Sequence, residues 1–129
     1  MRPTQILFGV FLATGLSFSG GTAIAFERVI SENRFVELVE GKSLSLLRPL
    51  LLRSAVVLEV SSDGDITGTA MRKPVKGAWQ WRDGFFCRDL AYGDRDLGPN
   101  CQVVEVKDDE IRFIADQGQG DRADFRLKN

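Results

Sequence analysis

The chain has 129 residues, with 17 basic side chains, 18 acidic side chains and no histidine. A net charge of −1 gives the protein no electrostatic reason to bind nucleic acid or an anionic membrane. The lack of histidine excludes the Ser-His-Asp and Cys-His catalytic arrangements and the usual zinc sites that contain histidine.

The chain opens with a predicted secretory signal peptide at residues 1–25. Arg2 provides its positive start, residues 6–18 form an apolar run, and Ala23-Ile24-Ala25 is a small-residue cleavage site. The apolar run is shorter than the roughly 20 residues that span a bilayer, so we expect cleavage and no stable membrane anchor. Residues 26–129 then form a single domain that is periplasmic or secreted.

A short helix is predicted near the start of this domain. Ser31 is a suitable N-cap, and Phe35, Leu38 and Val39 share one helical face. Gly41 is placed to end the helix. We expect the helix to cover or plug one opening of a sheet.

The next segment, Leu44 to Leu52, is rich in leucine and has no clear period. Pro49 interrupts it, and Arg48 and Arg53 stand among or beside the leucines. The segment fits either an edge strand or a short helix. Core burial explains its leucines, and contact with a membrane or a partner protein is the alternative.

From Ala55 onward, apolar and polar residues alternate, which is typical of β-strands. Residues 56–60 and 66–70 flank a turn at residues 62–65 and predict a hairpin. Asp83-Gly84 indicates a second hairpin, because these residues accept the positive φ angles of a type I′ turn.

The second hairpin has a defined register. With Asp83 and Gly84 as its loop, Trp81 faces Phe86, and Trp79 faces Arg88 on the same side of the sheet. We therefore expect the Arg88 guanidinium to stack on an indole ring.

A third hairpin runs through residues 101–107, turns at Asp108-Asp109 and returns through residues 111–113. A glycine loop at residues 118–120 leads to a last strand at residues 123–127. About seven short antiparallel strands in a meander predict an all-β fold, a small barrel or a strongly curled sheet, with one short N-terminal helix.

The two cysteines, Cys87 and Cys101, are predicted to form a disulfide, because an even pair in an exported chain favours one. Closing a loop of about 15 residues stabilises the fold by about 3 kcal/mol in the chain-entropy model. The pair lacks the Cys-x-x-Cys spacing of redox-active thiols.

Gly77, Trp79, Trp81 and Phe86 are the predicted structural core of the second hairpin. The aromatic residues could instead line a ligand cavity. Core packing is the preferred interpretation, because a single small core needs most of its large side chains.

The segment between the cysteines is the candidate binding loop, since loops on a rigid scaffold often carry recognition. Its candidate residues are Arg88, Asp89, Tyr92, Asp94, Arg95 and Asp96. The oxygen-bearing side chains from Asp94 to Asn100 lack the spacing and the distal glutamate of a calcium-binding EF-hand. We therefore predict a solvated turn and no metal.

Residues 118–123 satisfy the pattern G-x-G-x-x-A of dinucleotide-binding sites. That pattern is meaningful only between a strand and a crossover helix, and the nine residues after Gly120 leave no room for one. We predict a loop and no cofactor.

Gly77-Ala78-Trp79, with an arginine nearby, resembles the GxW corner of lipocalin-type barrels, in which tryptophan closes one end and arginine packs over it. In lipocalins the motif lies near the first strand, whereas here it lies in the middle of the domain. The resemblance implies a barrel architecture.

A broader resemblance covers nearly the whole mature chain. Its segments are Phe26-Glu27-Arg28-Val29, Gly41-Lys42-Ser43-Leu44, Asp63 to Gly68, Gly77 to Trp81, Phe86 to Leu90, Asn100 to Val104 and Gly118 to Asp121. With these segments the chain resembles a family of small exported alphaproteobacterial proteins, many of which carry the label dihydrodipicolinate reductase. Such a reductase needs a nucleotide-binding βαβ unit and histidine chemistry, and this chain has neither.

We therefore expect an exported, non-catalytic binding protein that presents the segment between Cys87 and Cys101 to another macromolecule. The alternative is a carrier of a small apolar ligand inside the barrel, which is favoured if Trp79 and Trp81 point into an unfilled interior. An enzyme is the third class, and the sequence identifies no nucleophile or base for it.

Overall fold

A computed structural model describes Gly15, residues 25–47 and residues 55–129. Nearly all of the predicted signal peptide lies outside the described residues, and so do residues 48–54 of the leucine-rich segment. The export and cleavage predictions therefore stay predictions.

The described residues contain nine β-strands and one α-helix. The strands are β1 (Glu27–Val29), β2 (Ser43–Leu46), β3 (Val56–Val60), β4 (Asp65–Ala70), β5 (Lys73–Arg82), β6 (Phe85–Tyr92), β7 (Arg95–Lys107), β8 (Glu110–Ile114) and β9 (Arg122–Lys128). The helix α1 spans Glu32–Val39, and a short 3-10 turn at Asp116–Gly118 joins β8 to β9.

Strands β2 to β9 form a closed antiparallel barrel. Each of them pairs with the next strand along the chain, and β9 pairs with β2, where Leu127 lies opposite Leu44. Strand β1 is added outside this barrel and pairs with β7, where Val29 lies opposite Val104. The predicted all-β meander is confirmed: β3 to β9 are the seven predicted strands, and β1 and β2 are two more.

The described start of the leucine-rich segment corrects one prediction. Strand β2 is not an edge strand and not a helix, because it pairs with β3 on one side and β9 on the other. Leu44 is fully buried in the barrel interior, between Leu58 of β3 and Leu127 of β9. Burial on the inner face and pairing on both edges together stabilise this short strand.

The predicted turn at Asp83-Gly84 is confirmed, with φ angles of 52° and 83°. The pairing of β5 with β6 also has the predicted register, since Trp81 lies opposite Phe86 and Trp79 opposite Arg88. Trp79 and Trp81 are two residues apart on β5 and so share one face of the strand. Trp79 is buried, which identifies this face as the interior face of the barrel.

Gly77 is needed at its position by the strand that follows. A Cβ atom there would collide with the carbonyl oxygen of Asp89 and with the side chain of Leu90. The glycine therefore lets β6 approach closely enough for Leu90 to lie across β5.

Helix α1 closes one end of the barrel, as expected. Ser31 accepts a hydrogen bond from the backbone N–H of Arg34 at 3.2 Å, which caps the helix. Phe35, Leu38 and Val39 are its buried residues. Phe35 enters the barrel and is fully buried there.

Because the strands form a meander, successive turns lie at alternate ends of the barrel. The β3–β4 and β5–β6 turns share the end that α1 closes, which we call the helix end. The β4–β5 turn, the β6–β7 turn and the 3-10 turn lie at the opposite end, which we call the far end.

Candidate functional site

The half of the interior next to the helix end is filled by aromatic rings. The ring of Phe35 lies 5.2 Å from Trp79, 5.3 Å from Trp81 and 5.0 Å from Phe86, measured between centroids. The indole N–H of Trp79 donates a hydrogen bond to the carbonyl oxygen of Ser61 at 2.8 Å and so fixes the β3–β4 turn. The predicted core role of the two tryptophans agrees with this packing.

The other half of the interior holds a cavity of about 180 Å³. Its walls are apolar side chains from six strands, among them Leu44, Leu58, Ile66, Leu90, Phe113 and Phe125. We call this space the lumen cavity. Leu44 and Ile66 are buried, whereas Leu58 and Leu90 are half-buried, so the walls become more accessible toward the far end.

In the part of the chain that the structure describes, two polar side chains line the lumen cavity among these apolar walls, Arg88 and Gln102. Arg88 lies on β6 between Phe86 and Leu90, and alternation along a strand places these three side chains on one face. Gln102 lies opposite Phe86 on β7, so Arg88 and Gln102 are diagonal neighbours across two strands.

The position of Arg88 corrects the predicted stacking. Its guanidinium does not stack on an indole; instead, Nη1 donates a hydrogen bond to the carbonyl oxygen of Gly98 at 2.8 Å. Gly98 has a φ of 74° beside a register irregularity between β6 and β7, and this local backbone brings its carbonyl within reach.

The charge of Arg88 is only weakly compensated. Burial lowers the pKa of the guanidinium from its ordinary value, and the charges of Asp89 and Asp116 act in the opposite direction. Arginine nevertheless stays protonated at neutral pH. Among the described residues, no carboxylate oxygen lies within 4.0 Å of its guanidinium nitrogens.

The predicted disulfide between Cys87 and Cys101 is confirmed. The segment that it encloses is not a loop, however, but the β6–β7 hairpin, in which the two cysteines lie directly opposite each other. Both face away from the lumen, because Cys87 alternates with the inward-facing Phe86 and Arg88 on β6, and Cys101 precedes the inward-facing Gln102 on β7. The disulfide indicates an oxidising compartment outside the cytoplasm.

The six candidate residues of the predicted binding loop do not form one surface. Arg88 faces the lumen cavity, and Asp89 is exposed on the outer face. The other four, Tyr92, Asp94, Arg95 and Asp96, lie around the β6–β7 turn at the far end. There Asp96 Oδ1 accepts a hydrogen bond from the N–H of Gly98 at 2.9 Å.

The described residues hold no group of three or more histidine, cysteine, aspartate or glutamate side chains that could bind a metal ion. Within the same part of the chain, no helix has the length and apolar character to cross a membrane.

Sequence reasoning preferred core packing and named a ligand cavity only as the alternative, and it missed the inward position of Gln102. The alternation along β7 was the signal for this position. Gln102 and Val104 are two residues apart and therefore lie on the same face, and Val104 is fully buried. The predicted register, in which Arg88 lies opposite Trp79 on the same face, is confirmed and accounts for the inward arginine.

Comparison of the chain with protein-family models, with curated proteins and with solved structures gives no match. The resemblances noted in the sequence therefore stay predictions.

Proposed function

We propose that the protein is a non-catalytic carrier that binds a small apolar ligand inside the barrel, in the periplasm or after secretion. The observation that supports this proposal is the lumen cavity, an apolar space of about 180 Å³ within a closed barrel. Ligand sites are typically concave, mostly apolar and equipped with a few polar groups, and the mouths of β-barrels are common places for them.

The size of the lumen cavity limits the ligand. A cavity of about 150 Å³ lined by leucine, isoleucine and phenylalanine binds benzene in another protein. Drug-sized ligands occupy sites of about 300–1,000 Å³. A ligand with a single short chain or one ring therefore fits within this volume, whereas a long acyl chain or a fused-ring system would extend beyond it.

The proposal also explains why the interior is not fully packed. Protein cores are usually filled to crystal-like density, and voids between apolar walls destabilise them. Phe35 fills only the helix-end half, and the side chains near Leu58 and Leu90 leave space that a ligand would fill.

Hexan-1-ol is a suitable probe, because its six-carbon chain matches the cavity and it carries no charge. In a titration of the oxidised protein followed by NMR, we expect binding in the millimolar range or tighter, about −4 kcal/mol. Shifts should concentrate on residues that line the lumen cavity.

A matched pair of variants tests the location. Ala123 lines the lumen cavity on β9, whereas Ala78 lies on the outer face of β5 opposite Asp89. Ala123→Leu should fill the space and abolish hexan-1-ol binding, and Ala78→Leu should leave it unchanged. Absence of binding to the unmodified protein, or equal binding by both variants, would refute a lumen site.

A second candidate function is presentation of the β6–β7 hairpin to another macromolecule. The observation that favours it is Leu97, which is 49% exposed on β7 near the same turn as Asp94 and Arg95. Native mass spectrometry of protein from its own envelope fraction separates the two functions. A small mass lost on denaturation supports the carrier, and co-purification of one macromolecule at fixed stoichiometry supports hairpin presentation.

A further inference from the structure

Among the described residues, Arg88 is the one cationic side chain that lines the lumen cavity. It reaches there because the alternation of β6 turns Phe86, Arg88 and Leu90 to the inside while Cys87 and Asp89 face outward. The charge therefore stands at the wall of an otherwise apolar space and not on the outer surface.

Its hydrogen bond to Gly98 fixes the guanidinium without using up its donors. A guanidinium carries five N–H donors, and only one bond from Nη1 is made to a described residue. The remaining donors of Arg88 have no acceptor among the described residues and are not fully buried, so they are open to solvent or to a ligand. Partial burial of this charge beside apolar walls costs free energy that the nearby charges of Asp89 and Asp116 offset only in part, and an anionic ligand would offset more of it.

On the basis of the proposed lumen-binding function, we propose that the ligand is a small amphiphile with one carboxylate group, which the Arg88 guanidinium and the Gln102 amide bind at the cavity wall. The planar fork of a guanidinium matches the two oxygens of a carboxylate and forms charge-assisted hydrogen bonds with them. The amide of Gln102 supplies another donor on the adjacent strand.

The charge balance favours a single carboxylate over a dianionic head group. One arginine compensates one negative charge, whereas a phosphate monoester dianion would bring a second, uncompensated charge beside the apolar walls. The apolar part of the ligand would lie against Leu58, Leu90 and Phe125, which line the same cavity.

A pair of probes tests the head group separately from the apolar part. Hexanoate and hexan-1-ol have the same six-carbon chain and differ in the group that meets Arg88. We expect the oxidised protein to bind hexanoate about tenfold or more tightly than hexan-1-ol at neutral pH, measured by NMR titration. The Arg88 Nε–H resonance should shift with hexanoate and stay nearly unchanged with hexan-1-ol.

Variants distinguish anchoring from a purely structural role of the arginine. In Arg88→Met, affinity for hexanoate should fall about tenfold or more, while affinity for hexan-1-ol should change less than about threefold. Arg82→Met is the matched control, because Arg82 is exposed on the neighbouring strand and its loss changes the net charge equally. Arg82→Met should keep the preference for hexanoate. If Arg88→Met does not fold, Arg88→Lys keeps the charge without the fork and should show an intermediate preference.

The two probes and the variants together distinguish failure of the carboxylate proposal from failure of the carrier function. Equal binding of hexanoate and hexan-1-ol to the unmodified protein would overturn the carboxylate proposal and leave the carrier function standing. Binding of neither probe would overturn both. A preference for hexanoate that survives in Arg88→Met would show that the anion is held elsewhere and would also overturn the proposal.

Discussion

Replacing Phe35 with alanine removes the side chain that fills the helix-end half of the barrel. Phe35 is fully buried, and its ring lies within 6.4 Å of the rings of Trp79, Trp81, Phe86 and Phe113. Truncating a buried phenylalanine costs about 3–5 kcal/mol, because apolar contacts are lost and a cavity remains. A domain of this size has a total stability of about 5–15 kcal/mol, so the loss is a large share of it. We expect urea denaturation to show a reduction of that size.

The neighbouring Val36 provides the matched control. It lies in the same helix but is only partly buried against the core. Val36→Ala should therefore cost about 1 kcal/mol or less. A loss below about 1.5 kcal/mol for Phe35→Ala, or equal losses for the two variants, would refute the conclusion that Phe35 plugs the barrel.

Removal of the disulfide in the double variant Cys87→Ala/Cys101→Ala should lower the free energy of unfolding by about 2–4 kcal/mol, measured by urea denaturation; an unchanged midpoint would contradict a stabilising role. Gly77→Ala should destabilise the protein by about 2 kcal/mol or more, because the added Cβ collides with the backbone of β6. An unchanged melting temperature in thermal denaturation would mean that β5 and β6 can move apart at no cost in stability. Trp79→Phe removes the indole donor to Ser61 and should cost about 1–3 kcal/mol, with loss of the protected indole N–H signal in NMR; retention of wild-type stability would show that this bond is dispensable.

The hairpins were predictable because their signals are local. Asp83-Gly84 defines a two-residue turn, and period-two alternation on both sides fixes the register that pairs Trp79 with Arg88. By contrast, the turn at Met71-Arg72 has φ angles of 47° and 71° in residues that rarely adopt them, so composition did not indicate it.

Two parts of the sheet, strand β1 and the first half of β7, were not predicted from the sequence, and each has a specific physical reason. Strand β1 has three residues, Glu27–Val29, which is too short to show a period. The first half of β7 contains Gly98 and Pro99, which normally indicate a turn, yet both pair with β6 beside the register irregularity.

The candidate site was predictable in part. The pairing of β5 with β6 places Arg88 on the same face as the two tryptophans, and this part was confirmed. The bond from Arg88 to Gly98 was not predictable, since it depends on the backbone irregularity of β7. The lumen cavity depends on how much of the interior Phe35 fills, which is a property of tertiary packing.

The most direct test of the central claim is to locate a bound ligand by intermolecular nuclear Overhauser effects between ¹³C-labelled hexanoate and the oxidised protein. A lumen site predicts contacts from the terminal methyl of hexanoate to methyl groups of Leu44, Leu58 and Leu90, which line the cavity. Contacts confined to the outer face of the barrel, or none at a ligand concentration that saturates the titration, would contradict the account.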